Sequence, residues 1–374
     1  MSARAGGERA GGRSTAGRST GGRSTPGRST GGRSTAGRST AGRSTGGRST
    51  GGRPGPLPAL VAPDSFKGTF SAREVAAAIA DGLRSADREA RELPVADGGE
   101  GTMEVLVTAL GGEVRTVTAS DPLGRPIEAG FALLPDGVAV VETAQASGLG
   151  LVDEGERDPW DATTRGTGEL IVAAVEAGAE KVIVTVGGSA TTDGGAGALE
   201  ALDEAGVKVS MDVLCDVRVP FEDAPRIFAP QKGAEPAMVK RLERRLDELA
   251  ERLPRDPRGE PMTGAAGGLS GGLWASLDAR LVPGAPYVLD AIGFDELMRA
   301  SAFVVTGEGG LDEQTLQGKI VGEVATRCRQ AGVTCHAIVG RNQLDPFGER
   351  IIDLASVTEA TTLDELTGAG RRLV

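Results

Sequence analysis

Lys181-Val-Ile-Val-Thr-Val186 runs directly into Gly187-Gly-Ser-Ala-Thr-Thr-Asp-Gly-Gly195, and a helical pattern then continues to about Glu204. The apolar, β-branched run reads as a buried strand, the glycine-rich stretch as a tight loop, and the remainder as a helix packed back on the strand. That order is a βα unit, and ligands of such units collect at the C-terminal end of the strand. A second unit follows the same order: strand 302–306, a loop beginning at Gly307-Glu-Gly-Gly310, helix 321–331 and strand 333–339.

Outward from these units, 57–62 reads as a strand. Ser71 with Glu74 three residues later forms a capping box for a helix carrying Val75, Ile79 and Leu83 on one face. A strand at 93–95 leads into a helix at 100–110 that stops at Gly111-Gly112. The runs 113–118, 128–134 and 138–143, separated by Asp-Pro, Arg-Pro and Asp-Gly, suit antiparallel strands. The amphipathic helix 236–253 keeps Val239, Leu242, Leu246, Leu249 and Leu253 on one stripe, with its Lys and Arg as a solvated face. The fold class is therefore α/β with largely parallel sheets and a patch of antiparallel structure.

The first 53 residues are a different material. Arg-Ser-Thr recurs eight times between Arg13 and Thr50, spaced by Gly, Ala or Pro with Gly, and nothing there can bury a core, so disorder is expected. Two origins fit this repeat: a genuine extension, or translation of repetitive DNA upstream of a start near Leu57 or Val61. The repeat holds eleven Arg against Glu8, a charge of +10 within a chain of −11, so the other 321 residues carry −21. A body this acidic argues against specific nucleic-acid binding. No stretch approaches the roughly 18–20 apolar residues of a membrane span.

Three cysteines, Cys215, Cys328 and Cys335, have no paired spacing, which disfavours a disulfide framework or thiolate zinc site and fits a cytoplasmic setting. His336 is the single histidine and lies in an apolar run, as a core or strand-end residue would. Histidine triads, facial triads and zincin sites are thereby nearly excluded.

Five glycine-rich, acid-rich segments carry the chemistry: Ala62-Pro-Asp-Ser-Phe-Lys-Gly-Thr69, Val95-Ala-Asp-Gly-Gly-Glu-Gly-Thr102, the loop 187–195, Gly264-Ala-Ala-Gly-Gly-Leu-Ser-Gly-Gly272, and the stretch from Thr306 to Lys319. Glycine lets backbone N–H groups approach an anion, and a helix start adds its dipole. Interleaved with Asp, Glu and Lys, these loops suit a phosphorylated or carboxylated ligand with a metal ion. Neither a P-loop nor a Gly-x-Gly-x-x-Gly dinucleotide fingerprint is present.

These segments, with Pro230-Gln-Lys-Gly-Ala234 and Gln314-Thr-Leu-Gln-Gly-Lys319, resemble the type 1 glycerate kinase family in family order from about Ala59 to Val357. The resemblance implies ATP-dependent phosphorylation of D-glycerate, usually to 2-phosphoglycerate, with Mg2+. Two lobes are expected: a Rossmann-like, mostly parallel three-layer domain from 54–95 plus 285–374, and an inserted mixed α/β domain from 96–284, with the active site between them. A homodimer is left open. The chain departs from the family at 207–212, where a strand and its connection look shortened or lost, and at 361–374, which looks clipped where the family continues into another helix.

Phosphoryl transfer needs phosphate positioning, charge neutralisation and a group that orients the attacking hydroxyl. Gly187, Gly188, Ser189, Gly307 and Gly309 are candidate phosphate cradles, and Lys67 and Lys319 are candidate point charges. Asp64, Asp97 and Asp193 each follow an apolar strand beside small residues, which suits a base or a metal ligand and equally suits a helix N-cap. Asp193 is taken as the base, with Lys67 and Asp64 completing the catalytic set. Ser65, Asp97, Gln231 and Lys232 are expected in the cleft, and Glu308 and Asp312 on the metal. Arg165 suits a bidentate clamp on the substrate carboxylate and equally a pairing with a helix carboxylate. Trp160 and Trp274 read as packing residues. The alternative to a kinase is a weakly catalytic sugar-acid or nucleotide sensor using the same cleft, which turnover would distinguish.

Overall fold

The strands, in chain order, are β1 (Ala59–Pro63), β2 (Ala90–Glu92), β3 (Glu113–Ser120), β4 (Pro126–Leu134), β5 (Val138–Glu142), β6 (Lys181–Thr185), β7 (Ser210–Cys215), β8 (Arg280–Pro283), β9 (Phe303–Gly307), β10 (Gly310–Leu311), β11 (Thr334–Val339), β12 (Arg341–Asn342) and β13 (Ser356–Glu359). They belong to a computed structural model that describes residues 56–374 apart from 313, 314 and 316–318. The expectations for the repeat at 1–53 lie outside the described residues.

One sheet has the order β13-β11-β9-β1-β2 and is parallel throughout. The other has the order β3-β4-β5-β6-β7-β8. Its β3-β4 and β4-β5 pairs are antiparallel and the rest parallel, as the Asp-Pro, Arg-Pro and Asp-Gly punctuation predicts. The structure is thus mixed α/β with one parallel and one mixed sheet.

Alternation along each strand divides its side chains between two cores. In β1, Leu60 and Ala62 enter a cluster that also takes Ala132 and Leu134 of β4, while Ala59 and Val61 face Ile79, Leu83 and Leu366. The first cluster therefore packs the two sheets into one body. Phe131 of β4 points the other way, onto Leu170, Val184 and Leu269. Each fully buried Leu, Ile, Val or Phe among them contributes about 1.5–3 kcal/mol.

The capping box at Ser71 and Glu74 is present, and its helix, Ala72–Arg84, buries Val75, Ile79 and Leu83. The helix Pro236–Ala250 buries Leu242 and Leu246 beside Phe221. β2 ends earlier than expected, yet Leu93 and Val95 still donate to Val61 and Pro63, so the expected segment continues the ladder without joining the strand.

Both departures from the family pattern leave complete elements. β7 pairs with β6 on one side and β8 on the other, so the shortening falls in the connection and not in the sheet. Residues within the stretch 361–374 form the helix Leu363–Arg371. It packs tightly on Ala72–Arg84: a Cβ at Gly82 would lie 2.1 Å from the Thr367 carbonyl oxygen, and one at Gly370 would lie 2.4 Å from that of Ile79. Only glycine permits that approach.

Candidate active site

The loops at the C-terminal ends of the parallel strands converge on one cleft. Beyond β1, Asp64 is anchored by its own N–H, which donates to Gly307 O at the end of β9. Its Oδ1 accepts from the Ser65 amide at 2.6 Å. Lys67 reaches across to Asp97, with Nζ 3.0 Å from Oδ2. The other Asp97 oxygen takes the Gly99 amide at 2.9 Å.

Burial works against the Asp97 carboxylate, but the charge and hydrogen bond of Lys67 and the Gly99 amide hold it below the usual range. Asp97 in turn raises the Lys67 ammonium, against the effect of burial. For Asp64 the compensation falls short: burial, then the charge of Asp97, push it well above the ordinary carboxylate value, against Lys67 and the Ser65 amide. Within one cleft the sequence therefore places a firmly ionised carboxylate and a protonation-prone one.

Beyond β9, Glu308 is buried and its Oε1 accepts from Thr315 Oγ1 at 2.8 Å. Burial lifts its carboxyl to about 7. A cavity of about 380 Å³ brings together Asp64, Lys67, Asp97, Glu308, Gly309 and Lys319. A neighbouring cavity of about 300 Å³ shares Asp64, Ser65 and Lys67 and adds apolar walls from Phe70, Ala72 and Val105. Asp312 sits 3.5 Å from Lys319, which places it as a partner of the lysine. Of the stretch 314–319, only Thr315 and Lys319 are among the described residues.

The second sheet supplies the opposite wall. Gly187, after β6, stacks against Gly99: a Cβ there would lie 2.7 Å from Gly99 Cα, so the two loops meet backbone to backbone. Glu142, at the end of β5, accepts from the Met103 amide at 2.7 Å and ties down the start of the helix Thr102–Leu110. Asp216, after β7, feels the charges of Asp97, Lys67 and Lys319, and burial followed by Asp97 raises it to about 6. A small cavity of about 80 Å³ is lined by Asp216, Gly187, Gly188, Ser189, Gln231 and Lys232.

Two expected site residues are engaged elsewhere. Asp193 Oδ2 accepts from Thr164 N, Thr164 Oγ1 and Gly197 N, and Oδ1 from Gly195 N, at 2.8–3.2 Å. Four donors occupy this buried carboxylate and fasten the helices Arg165–Glu176 and Ala196–Glu204 together, a scaffold role distinct from both a free base and the expected N-cap, since the N-cap residues are Thr164 and Gly195. Arg165 pairs with Glu169, Glu200 and Glu204 on those helices, the alternative to a substrate clamp. Trp160 packs under Arg241, and Trp274 under Arg255. Gly307 is committed to the sheet, where a Cβ would strike the Ile338 carbonyl oxygen at 2.1 Å.

Asp216 and Glu142 were not singled out in the sequence. The available signal was their position: each closes a strand whose neighbour ends in a site loop. Among the described residues no three His, Cys, Asp or Glu side chains are grouped to hold a metal ion. The donor set still suits a hard divalent cation that keeps several waters and takes one or two carboxylates besides phosphate oxygens. Glu308 and Asp64 line the same cavity, and burial raises both carboxyls, against the lowering effect of Lys319 on the first and Lys67 on the second.

The glycerate kinase family model matches residues 59–206 and 203–366 of this chain. The chain belongs to the glycerate kinase family. A glycerate kinase of Halalkalibacterium halodurans is 40% identical over 321 residues, covering 75% of this chain and 84% of that protein. Glycerate 2-kinase of Escherichia coli K12 is 39% identical over 301 residues, covering 70% and 79%. A crystal structure from Salmonella typhimurium LT2 described as a glycerate kinase 2 superposes with a TM-score of 0.71 at 34% identity, over 85% of this chain and 97% of that one. The two family matches meet at 203–206, immediately before the short connection into β7. The glycerate kinase fold is thus retained across it, and the chain is a kinase by family. No helix among the described residues is long and apolar enough to cross a membrane.

Proposed function

We propose that this glycerate kinase transfers the γ-phosphoryl group of ATP to the 2-hydroxyl of D-glycerate, in a cleft between two lobes built on the two sheets. The observation that carries the reading is the Lys67–Asp97 pair at 3.0 Å, set where two adjoining cavities share Asp64 and Lys67. Phosphoryl transfer depends on positioning and charge stabilisation more than on covalent chemistry from the protein. Lys67 and Lys319 would meet the negative oxygens of the transferring group, and Asp97 and Asp312 would hold those lysines in place. The apolar walls of the cavity at Phe70 and Val105 suit the nucleoside part of ATP.

Mg2+ would be held by Glu308 and Asp64, and when bound it would neutralise phosphate charge. The attacking hydroxyl needs a carboxylate that ionises near neutrality and is not already paired. Asp216, raised to about 6, meets that requirement better than the saturated Asp193. Asp64 is the alternative base on the phosphate side. Purified protein supplied with D-glycerate, ATP and Mg2+ should release ADP in a coupled assay only when glycerate is present. Nucleotide and glycerate binding without turnover would favour a sensor instead.

A further inference from the structure

We propose that Lys232 and Ser189 form the subsite that takes the carboxylate of the hydroxy-acid acceptor, with Asp216 on the same cavity facing the acceptor hydroxyl. The inference deepens the glycerate kinase reading and rests on it. Lys232 closes the turn Pro230–Lys232, and only 2% of its surface is exposed. Its Nζ donates to Ser189 Oγ at 2.9 Å and to the Thr191 carbonyl oxygen at 2.5 Å. An ammonium has three donors, so one remains. Among the described residues Lys232 is in a salt bridge with no carboxylate; the charge that supports it is that of Asp193, whose oxygens are already committed.

A buried charge without a counter-ion is costly unless a ligand supplies one. Burial accordingly pulls the Lys232 ammonium down to about 7, against the influence of Asp193. The cavity beside it holds about 80 Å³. That is space for a small polar group such as a carboxylate, and it is much smaller than the cavities at Asp64. Gly187 and Gly188 contribute wall without side chains, and Asp216 joins this cavity electrostatically to the Lys67–Asp97 pair. An acceptor whose carboxylate sits on Lys232 presents its neighbouring hydroxyl to Asp216 on the phosphate side. The subsite would thereby select 2-hydroxy acids over uncharged polyols.

The groups facing Lys232 are Asp193 from the loop before Ala196–Glu204 and Asp216 from the end of β7. Lys232→Met removes the charge at similar volume, and Lys232→Gln keeps a donor. Each variant and the wild type are tested for fold by circular dichroism, for D-glycerate and ATP binding by calorimetry, and for turnover with D-glycerate and glycerol. The expected result is a rise in the D-glycerate KM of about 10- to 100-fold in both variants, the effect of losing a charged hydrogen bond. The ATP KM should stay within about twofold, and the preference for D-glycerate over glycerol should collapse. Wild-type turnover with an unchanged D-glycerate KM in Lys232→Met overturns the subsite and leaves the kinase standing. Lys232-dependent glycerate binding without wild-type turnover supports the subsite and overturns the kinase. If wild type neither binds nor turns over D-glycerate, both fall. Inorganic phosphate that competes with D-glycerate only when Lys232 is intact would make this a phosphate site and also overturn the proposal. Should Lys232→Met not fold, Ser189→Ala, with the same KM expectation in direction, decides.

Discussion

Lys67 Nζ lies 3.0 Å from Asp97 Oδ2, so a salt bridge ties the loop after β1 to the loop that starts the helix Thr102–Leu110. The pair leaves the lysine side chain half-exposed toward the cleft while the carboxylate stays buried. Lys67→Met should therefore lower kcat far more than it raises the glycerate KM, by about 10²- to 10³-fold if the charge acts on the transition state. Steady-state kinetics with both substrates varied would check this; an unchanged kcat would make the pair structural.

The roles of two carboxylates separate cleanly. Asp216→Asn should keep its melting temperature and lose about 10²- to 10⁴-fold in kcat, as removal of a positioned base does. Asp193→Asn should do the reverse: it weakens four hydrogen bonds within the scaffold, at a cost of about 1–3 kcal/mol, with kcat near wild type in the folded fraction. Thermal melts alongside kcat measure both, and the opposite pattern would restore Asp193 as the base.

The pH profile follows from three groups. Asp216 must be ionised to accept a proton, so kcat/KM should fall as pH drops through about 6. Lys232 must be protonated to hold a carboxylate, so the glycerate KM should rise as pH climbs above about 7. Glu308 competes for protons near 7, so the Mg2+ concentration for half activity should fall as pH rises through that value. Glu308→Gln should remove this last trend and raise the Mg2+ requirement by about 10- to 100-fold, the equivalent of about 1.5–3 kcal/mol. A pH-independent Mg2+ requirement in the wild type would exclude Glu308 as a ligand.

Lys232 also predicts a stability effect. Its folded value of about 7 lies below the ordinary lysine value of 10.5, so the unfolded chain binds more protons between those limits. Stability should accordingly rise with pH across that window, and the ammonium is destabilising below it. Lys232→Met should be more stable than wild type at pH 7, by about 1–4 kcal/mol, and should lack that part of the slope. Urea denaturation at pH 7 and pH 9 would show it; a destabilised, pH-insensitive variant would mean the hydrogen bonds to Ser189 and Thr191 outweigh the buried charge.

Much of this could be read from the sequence because strong local rules were obeyed. β6, β9 and β11 are apolar runs rich in β-branched residues that run into glycine, β1 is a short apolar run between prolines, and Ser71 with Glu74 gives a complete capping box. β7 was missed because Ser210 and Asp212 interrupt its short apolar run; Asp212 is nevertheless held by Lys181 and Arg280 from the flanking strands. Terminal helix Leu363–Arg371 was missed for a different reason. Its sequence is short and glycine-containing, and its one clear local signal, Thr362 capping the Glu365 amide, is reinforced by tertiary packing against Ala72–Arg84. In the site, glycine loops and Lys67 were legible as residue types. Which carboxylates are free was not, because that depends on donors far away in sequence, such as Thr164 for Asp193.

The measurement that bears most directly on the central claim is 1H–31P NMR of the product formed from D-glycerate, ATP and Mg2+ by the full chain. The glycerate kinase reading with Lys232 on the carboxylate predicts phosphorus coupled to the C2 proton, stoichiometric with ADP release. Phosphorus coupled only to the C3 protons would contradict the placement of the acceptor, and no glycerate-dependent phosphoryl transfer would contradict the function itself.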